Sequence, residues 1–250
     1  MLKEESLKGR NVLITGASQG LGAVIAKVFA EEGCLVYVNC ARGVDKAKVV
    51  IDGIRRNGGS AELFQCDITD ENEIAAKFKI LNPIDILINN ARLNPYHRLP
   101  EDTEAEWFVK ILSVNLIGPH LAIMALIDGM KERRWGRIIN ISSVQEHVAL
   151  PRRMMHYGAS KAGLNELTRC FALESAPYNV TVNTVSPGMI VTENIGKNLT
   201  PMEIEERNQR IPLHRGATTE EIARTVLYTV KSSYMTGEIV NVNGGLWMTP

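Results

Sequence analysis

Features that would indicate a metal centre, a disulfide framework or a redox dithiol are scarce in this chain. Its 250 residues include four cysteines, and none of them belongs to a C-x-x-C pair. This spacing predicts neither a structural zinc site nor a catalytic dithiol. We therefore expect no metal, and we expect buried free thiols at Cys34, Cys40, Cys66 and Cys170.

An excess of charge of one sign and a long apolar run are also absent. The 28 Lys and Arg residues equal the 28 Asp and Glu residues, so the formal net charge is zero. No basic excess favours nucleic acid or an anionic membrane surface as a partner. No run approaches 18 apolar residues, and the opening MLKEESLKGR contains no apolar signal segment. We expect a cytoplasmic protein that binds neither nucleic acid nor membrane.

Because no repeat, low-complexity segment or linker divides the chain, a single domain over residues 1–250 is predicted. Short runs rich in Val and Ile alternate with helical patterns, and several runs lack the apolar–polar alternation of a half-exposed strand. Strands are predicted at 11–15, 35–40, 61–66, 84–90, 137–143, 180–186 and 238–243. Strands separated by helices predict a doubly wound α/β fold, with a seven-stranded parallel sheet and helices on both faces.

Helix starts can be read from capping signals. Thr103-x-x-Glu106 and Thr218-x-x-Glu221 are capping boxes, and Thr200 is followed by Pro201 and Glu203, which predicts a short helix at 201–210. The longest helical stretch, about 103–133, is expected to be interrupted around Asn115 and at Gly118, Pro119 and His120.

A glycine-rich turn, TGASQGLG, follows the first predicted strand. Gly16, Gly20 and Gly22 permit a tight turn and close backbone approach, and the helix that follows offers free N–H groups to a pyrophosphate. The spacing is G-x-x-x-G-x-G and differs from the G-x-G-x-x-G of the general dinucleotide fingerprint. Its position between a strand and an amphipathic helix nevertheless predicts a dinucleotide site.

Further motifs follow in a fixed order: N-N-A at 89–91, Asn115, two serines at 142–143, Y-x-x-x-K at 157–161 and P-G at 187–188. With the glycine turn, this set resembles the classical short-chain dehydrogenase/reductase family from about Leu7 to Trp247. The resemblance implies a Rossmann-type fold, a homotetramer, and hydride transfer between NAD(P)(H) and a carbonyl or secondary alcohol. It leaves sugars, polyols and 3-oxoacyl compounds open as substrates. A non-catalytic, dinucleotide-sensing protein on the same fold is the alternative.

Tyr157 and Lys161 are one helical turn apart and share a face. The resemblance implies that Tyr157 is the general acid/base and that Lys161 lowers its pKa, ordinarily about 10, and binds the nicotinamide ribose. It also implies that Ser143, rather than Ser142, polarises the substrate oxygen. Asn115 would hold a water that relays protons to Lys161.

The resemblance further implies a set of cofactor contacts. Asp67 would bind the adenine, or alternatively cap the helix that begins near Asp70, and Asn89 would chiefly stabilise the central strand. Thr192 would bond the nicotinamide carboxamide. The full set is Gly16, Ser18, Gln19, Gly20, Leu21, Gly22, Arg42, Asp67, Ile68, Asn89, Ala91, Tyr157, Lys161, Pro187, Gly188, Ile190 and Thr192.

The residues after the second strand bear on which dinucleotide binds. A carboxylate there marks NAD, whereas a basic residue accommodates the 2′-phosphate of NADP. Here Cys40 takes the position of the carboxylate and Arg42 is the next charge, so NADP is preferred, with NAD as the alternative. Gln19 stands in the glycine turn where NADP-using relatives often have a basic residue.

The sequence departs from the family at Arg92, which replaces the glycine of N-N-A-G. Arg92 either points outward or reaches a phosphate or an anionic substrate. Arg152 and Arg153 either bind a substrate anion or form surface salt bridges. Arg92, Gln145, His147, Arg152, Arg153 and Met189 are the substrate candidates, and the long segment at about 189–215 is the candidate lid.

Overall fold

The computed structural model describes residues 5–149, 154–192, 195 and 199–248. Its centre is a seven-stranded sheet in which every neighbouring pair of strands is parallel. The strands are β1 (Asn11–Ile14), β2 (Leu35–Cys40), β3 (Ser60–Gln65), β4 (Ile86–Asn89), β5 (Gly136–Ile141), β6 (Val180–Pro187) and β9 (Ile239–Val242). Their order is β3-β2-β1-β4-β5-β6-β9, so the predicted doubly wound fold is confirmed.

Helices cover both faces of the sheet. One core cluster packs α1 (Gly20–Glu31), α2 (Val44–Arg56) and α8 (Thr219–Lys231) on one face. The other packs α3 (Glu71–Lys77), α5 (Gly118–Glu132) and α6 (Met155–Ser175) on the opposite face. Strands such as β1 and β4 are almost wholly buried because both faces are covered, which explains their unbroken apolar sequence.

Three cysteines are buried as expected, but Cys170 is exposed. Cys170 lies in α6, and neighbouring positions on that helix point in different directions because a helix has 3.6 residues per turn. The expectation of a buried thiol at Cys170 was therefore wrong.

The predicted interruption of the long helix takes an unexpected form. Residues Glu104–Glu132 stay helical throughout, from α4 (Glu104–Leu112) through a π-helical turn at Ser113–Ile117 into α5. A π turn accommodates the irregular residues by widening the helix, so the chain does not leave it. This run is apolar and long enough to cross a bilayer by composition alone, but its inner side packs in the core through Ile111, Ala122 and Ile127.

A small second sheet stands beside the carboxyl end of β6. It pairs β7 (Ile190–Val191) with β8 (Ala217–Thr218), and α7 (Pro201–Arg210) lies between them in sequence. The predicted helix at 201–210 is confirmed, and both predicted capping boxes form, at Thr103 and Thr218, while Thr200 forms a third.

Candidate active site

The carboxyl ends of the parallel strands open into one cleft of about 1240 Å³. The strand order reverses between β1 and β4, which is where doubly wound sheets bind their ligands. Of the predicted site residues that the structure describes, all but Asn89, Asn115 and His147 line this cleft. Arg152 and Arg153 lie outside the described residues, so their predicted contacts are not placed.

The glycine turn closes one end of the cleft with bare backbone. Gly16 has a positive φ of 62°, and a Cβ there would stand 2.8 Å from the Cα of Ala91. At Gly22 a Cβ would stand 2.5 Å from the Asn90 side chain. The α1 helix begins at Gly20, and no described side chain caps its first turn. Its first N–H groups are therefore free, and this end of the cleft fits the pyrophosphate of a dinucleotide.

Asn90, to which the sequence analysis assigned no role, holds the glycine turn in place. Its Nδ2 donates to the carbonyl of Thr15 at 2.9 Å and to that of Gly16 at 3.1 Å. Asn89, by contrast, is buried in β4 and donates through Nδ2 to Asn140 Oδ1 at 2.9 Å. The side chain joins two strands, as the strand-stabilising interpretation expects, and the cofactor contact at Asn89 stays a prediction.

Two cations stand where the ribose next to the adenine would lie. Arg42 is exposed and lines the cleft beside Lys46, whose Nζ donates to Gln19 Oε1 at 3.0 Å. Lys46 is in the first turn of α2, four residues after Arg42. This spacing could have identified Lys46 as a second basic residue at this end of the cleft, but the sequence analysis did not include it. A polar side chain of the glycine turn thus holds a basic group from a neighbouring helix.

Asp67 lines the cleft and does not cap a helix. Its Oδ1 accepts hydrogen bonds from Thr69 N at 2.9 Å and Thr69 Oγ1 at 2.7 Å. The cap of α3 is Asp70, which accepts from the backbone of Asn72 and Glu73. The capping alternative for Asp67 was therefore wrong.

The Tyr157 and Lys161 side chains project from α6 into the base of the cleft, where Tyr157 is 7% and Lys161 2% exposed. Lys161 Nζ donates to the carbonyl of Ile141 at 2.7 Å and lies 5.6 Å from the centre of the Tyr157 ring. The Ser143 hydroxyl, just beyond β5, lowers the pKa of the Tyr157 phenol and lines the same part of the cleft. The structure thus brings the three residues together from two elements.

The electrostatics of this cluster differ from the expectation that Lys161 lowers the pKa of Tyr157. Burial raises the pKa of the Tyr157 phenol, and the positive charge of Arg92 and the Ser143 hydrogen bond oppose that rise. Burial lowers the pKa of Lys161 to about 7, Arg92 lowers it too, and Glu146 raises it. In the free protein the cation that favours the Tyr157 phenolate is therefore Arg92.

Asn115 lies in the π-helical turn and is fully buried. Its Oδ1 accepts from the backbone N–H of Leu93 at 2.7 Å, and its Nδ2 donates to Ser160 Oγ at 3.2 Å. The side chain therefore ties the loop after β4 to the helix that bears Tyr157 and Lys161. The predicted water relay through Asn115 stays a prediction.

Away from the glycine turn the cleft is lined by apolar residues, among them Leu93, Trp107, Met154, Met189 and Leu199, and by polar ones such as Asn94, His97 and Lys110. Arg92 is exposed in this part of the cleft, and none of the described residues forms an ion pair or hydrogen bond with its side chain. From α7, Arg207 Nη2 donates to the Tyr96 hydroxyl at 2.8 Å. This bond joins the candidate lid to the loop after β4.

His147 is not among the residues that line the cleft, and its role as a substrate contact stays a prediction. Its ring stacks on Trp247, with the ring centres 3.6 Å apart, and its Nε2 lies 3.2 Å from Glu146 Oε1. These two contacts occupy the side chain. Glu146, which was not among the predicted site residues, is buried behind Ser143, Tyr157 and Lys161.

Known proteins are similar to this chain in sequence and in architecture. A family model described as short chain dehydrogenase matches residues 10–203. The 3-oxoacyl-(acyl-carrier-protein) reductase FabG of Buchnera aphidicola is 36% identical over 249 residues, which cover 97% of this chain and 99% of the relative. An uncharacterised oxidoreductase of Thermotoga maritima is 35% identical over 249 residues, covering 96% and 98%.

Solved structures of the same kind of protein have a similar fold. A 3-oxoacyl-(acyl-carrier protein) reductase from Brucella melitensis superposes with a TM-score of 0.90 at 33% identity, covering 98% of this chain and 93% of that one. A Brucella melitensis reductase with bound NAD gives a TM-score of 0.88 at 32% identity, with the same coverage. The chain therefore belongs to the short-chain dehydrogenase/reductase family and is an NAD(P)-dependent oxidoreductase acting on a secondary alcohol or keto group.

Proposed function

We propose that this protein uses NADPH to reduce the keto group of a 3-oxoacyl-type substrate, with Tyr157 as the acid that protonates the new hydroxyl. The observation that supports this most is the buried cluster of Ser143, Tyr157 and Lys161 at the base of the cleft. Three groups suited to polarising and protonating a carbonyl oxygen meet there beside a glycine turn suited to a pyrophosphate.

The chain's own residues divide the work as follows. The nicotinamide cofactor, when bound, supplies the hydride. Ser143 orients the carbonyl oxygen, Tyr157 donates a proton to it, and the positive charge of Arg92 favours the phenolate left behind. Lys161, when protonated, would add to that effect. Asp67 and Ile68 would contact the adenine. Pro187, Gly188, Ile190 and Thr192 would pass along the nicotinamide.

The preference for NADP rests on the two cations at the ribose end. Arg42 and Lys46 offer a phosphate two positive groups, and no carboxylate directly follows β2 to repel it. A 2′-phosphate would therefore be stabilised more than a free ribose hydroxyl.

Both the relatives and the lining of the cleft favour a 3-oxoacyl compound over a sugar or polyol. The FabG relatives are named as 3-oxoacyl-(acyl-carrier-protein) reductases. The lining residues Leu93, Trp107, Met154, Met189 and Leu199 offer apolar contacts to an acyl chain. Arg92 would face a carboxylate or phosphate carried by such a substrate.

The test is to follow nicotinamide absorbance with a panel of substrates. Acetoacetyl-coenzyme A represents the 3-oxoacyl class, glucose and sorbitol represent the sugars and polyols, and NADPH is compared with NADH. We expect the fastest oxidation of reduced cofactor with NADPH and the thioester. Turnover only with sugars or polyols would overturn the substrate assignment, and higher kcat/KM with NADH would overturn the cofactor preference.

The assembly and location follow as further parts of the proposal. We infer one domain, a homotetramer and a cytoplasmic location. Exposed apolar side chains along the Glu104–Glu132 run, including Ile117 and Met124, support an interface outside the cleft.

A further inference from the structure

We propose that Glu146 is a positioning residue, a buried carboxylate that acts as the counter-charge of Lys161 and holds the turn that presents Ser143. This inference rests on the proposed function of the Ser143–Tyr157–Lys161 cluster. Its physical basis is a set of contacts that the catalytic assignment does not use.

The Glu146 carboxylate joins three elements behind the cluster, and its side chain is only 1% exposed. Ser142 Oγ, at the end of β5, donates to Oε2 at 2.8 Å, and Ser186 Oγ, in β6, donates to Oε1 at 3.0 Å. Asn165 Nδ2, one turn after Lys161 in α6, also donates to Oε2. The carboxylate thereby fixes the strand end before Ser143 relative to the helix that bears Lys161.

The surroundings of Glu146 suit an ionised carboxylate. An ionised carboxylate only accepts hydrogen bonds, and its three uncharged partners are all able to donate. A buried negative charge of this kind needs a nearby positive charge, and Lys161 is the buried cation on the adjoining helix.

Residues 141–142 connect the charges of Lys161 and Glu146 through hydrogen bonds. Lys161 Nζ donates to the carbonyl of Ile141, and the next residue, Ser142, donates to Glu146. Arg92 is the other charged group that acts on Lys161, from the loop after β4, and Tyr157 is the neighbouring titratable group. His147 is the other titratable group that faces Glu146, while β6 offers it the hydroxyl of Ser186.

Each charge shifts the titration of the other in the direction expected for a pair. Burial raises the pKa of Glu146, while the two serine hydrogen bonds, His147 and Lys161 lower it. Glu146 in turn raises the pKa of Lys161 against the effect of burial. Removing the carboxylate should therefore let Lys161 lose its proton at a lower pH.

The experiment compares wild type with Glu146→Gln, which keeps the size and most hydrogen bonds of the side chain but removes its charge. Lysine carbons labelled with 13C are titrated by NMR in the free protein, and the Lys161 signal is assigned by its loss in Lys161→Met. We expect the Lys161 titration to move down by about one pH unit or more in Glu146→Gln. Glu166→Gln removes an exposed carboxylate from the same helix and should leave it unchanged.

A kinetic readout accompanies the titration. In carbonyl reduction, the alkaline limb of the pH profile of kcat/KM should fall to lower pH in Glu146→Gln, by the same interval as the titration. Glu146→Asp keeps the charge and should retain the wild-type limb while lowering kcat through the shorter reach. An unshifted Lys161 titration in Glu146→Gln would overturn the proposal, even if kcat fell, because a purely structural role lowers kcat without moving the titration.

The reciprocal measurement does not depend on whether Glu146→Gln folds. In Lys161→Met, the 13C carboxyl signal of Glu146 should titrate at higher pH than in wild type, because coupling between two sites is mutual. An unchanged Glu146 titration would overturn the proposal. Both titrations need no substrate, so the absence of reductase activity with a shifted titration would count against the proposed function alone.

Discussion

Tyr157 is the residue on which turnover depends most directly. Tyr157→Phe removes the phenolic proton donor but keeps the ring that packs in the base of the cleft. We expect turnover to fall by ~10²-fold or more, the scale of lost general acid–base catalysis, with folding and cofactor binding retained. Steady-state kinetics and cofactor fluorescence check this, with Tyr228→Phe, at an exposed tyrosine, as the matched control. Near-normal turnover in folded Tyr157→Phe would contradict the assignment.

Arg92 sets the charge around the same phenol. Because its positive charge lowers the pKa of both Tyr157 and Lys161, Arg92→Gln should raise both pKa values. Reduction needs both groups protonated, so the alkaline limb of its pH profile should move to higher pH, by roughly one unit. The shift is opposite in sign to that expected for Glu146→Gln.

The pH dependence of kcat/KM measures this directly for Arg92. Arg169→Gln, which removes an exposed guanidinium paired with Glu166, is the control and should leave the limb in place. A limb that stays fixed or moves to lower pH in Arg92→Gln would show that Arg92 does not tune the Tyr157–Lys161 pair.

We propose that Arg42 governs the choice between the two dinucleotides. Arg42→Ala should weaken NADP more than NAD, by about 1.5–3 kcal/mol, the scale of a hydrogen bond to a charged group. Lys46→Ala should act in the same direction, because both cations line the same end of the cleft. Calorimetric titration with each cofactor measures the difference, and Arg56→Ala, farther along α2, is the control. Equal weakening of both cofactors would contradict the NADP preference.

At the scale of elements, the caps decide where helices begin and how firmly they pack. Thr218 Oγ1 accepts from the backbone N–H of Glu221 at 3.1 Å, and Glu221 Oε2 accepts from that of Thr218 at 2.8 Å. The α8 helix that follows buries Ile222, Val226 and Val230 against α1 and the sheet. Both hydrogen bonds at the start of α8 therefore support one side of the core.

Thr218→Ala should lower the free energy of unfolding by about 1 kcal/mol, the usual cost of losing an N-cap side chain. Urea denaturation of wild type and variant measures the difference. Thr219→Ala changes the next threonine, which is inside the helix and does not cap it, and should have a smaller effect. Equal losses in the two variants would show that the cap is not the source of the effect.

At the scale of the whole molecule, the Glu104–Glu132 helical run leaves apolar side chains exposed away from the cleft. Ile117 is 45% and Met124 51% exposed, although other positions of the same run are buried. A second copy that covered this surface would bury it, and closed symmetric assemblies are the common outcome for such faces. The surface therefore fits the proposed homotetramer.

Light scattering tests the assembly. We expect a tetramer mass at micromolar concentration and a lower mass for Met124→Glu, because a charge would be buried at the interface. Met202→Glu places the same charge on an exposed methionine of α7 and should leave the mass unchanged. A monomer mass for wild type would refute the assembly.

Local patterns in the sequence were sufficient for the main strands and helices and for the phosphate end, whereas the roles of Ser143, Tyr157 and Lys161 came from the family resemblance. Strand positions followed from runs of Val and Ile, helix starts from capping residues such as Thr200, and the phosphate end from the spacing of Gly16, Gly20 and Gly22. These patterns depend on backbone conformation and on neighbours a few residues away, so they can be recognised in the sequence alone.

Tertiary structure alone decided how those groups act on one another. The sequence shows Glu146 and His147 as two polar residues in a loop, but β6, α6 and Trp247 turn the first into a buried carboxylate and draw the second away from the cleft. The direction of the Tyr157 pKa likewise depends on burial and on Arg92. Burial and charge–charge distances are set by residues far apart in sequence, and these meet only when the parallel strands bring their carboxyl ends to one edge.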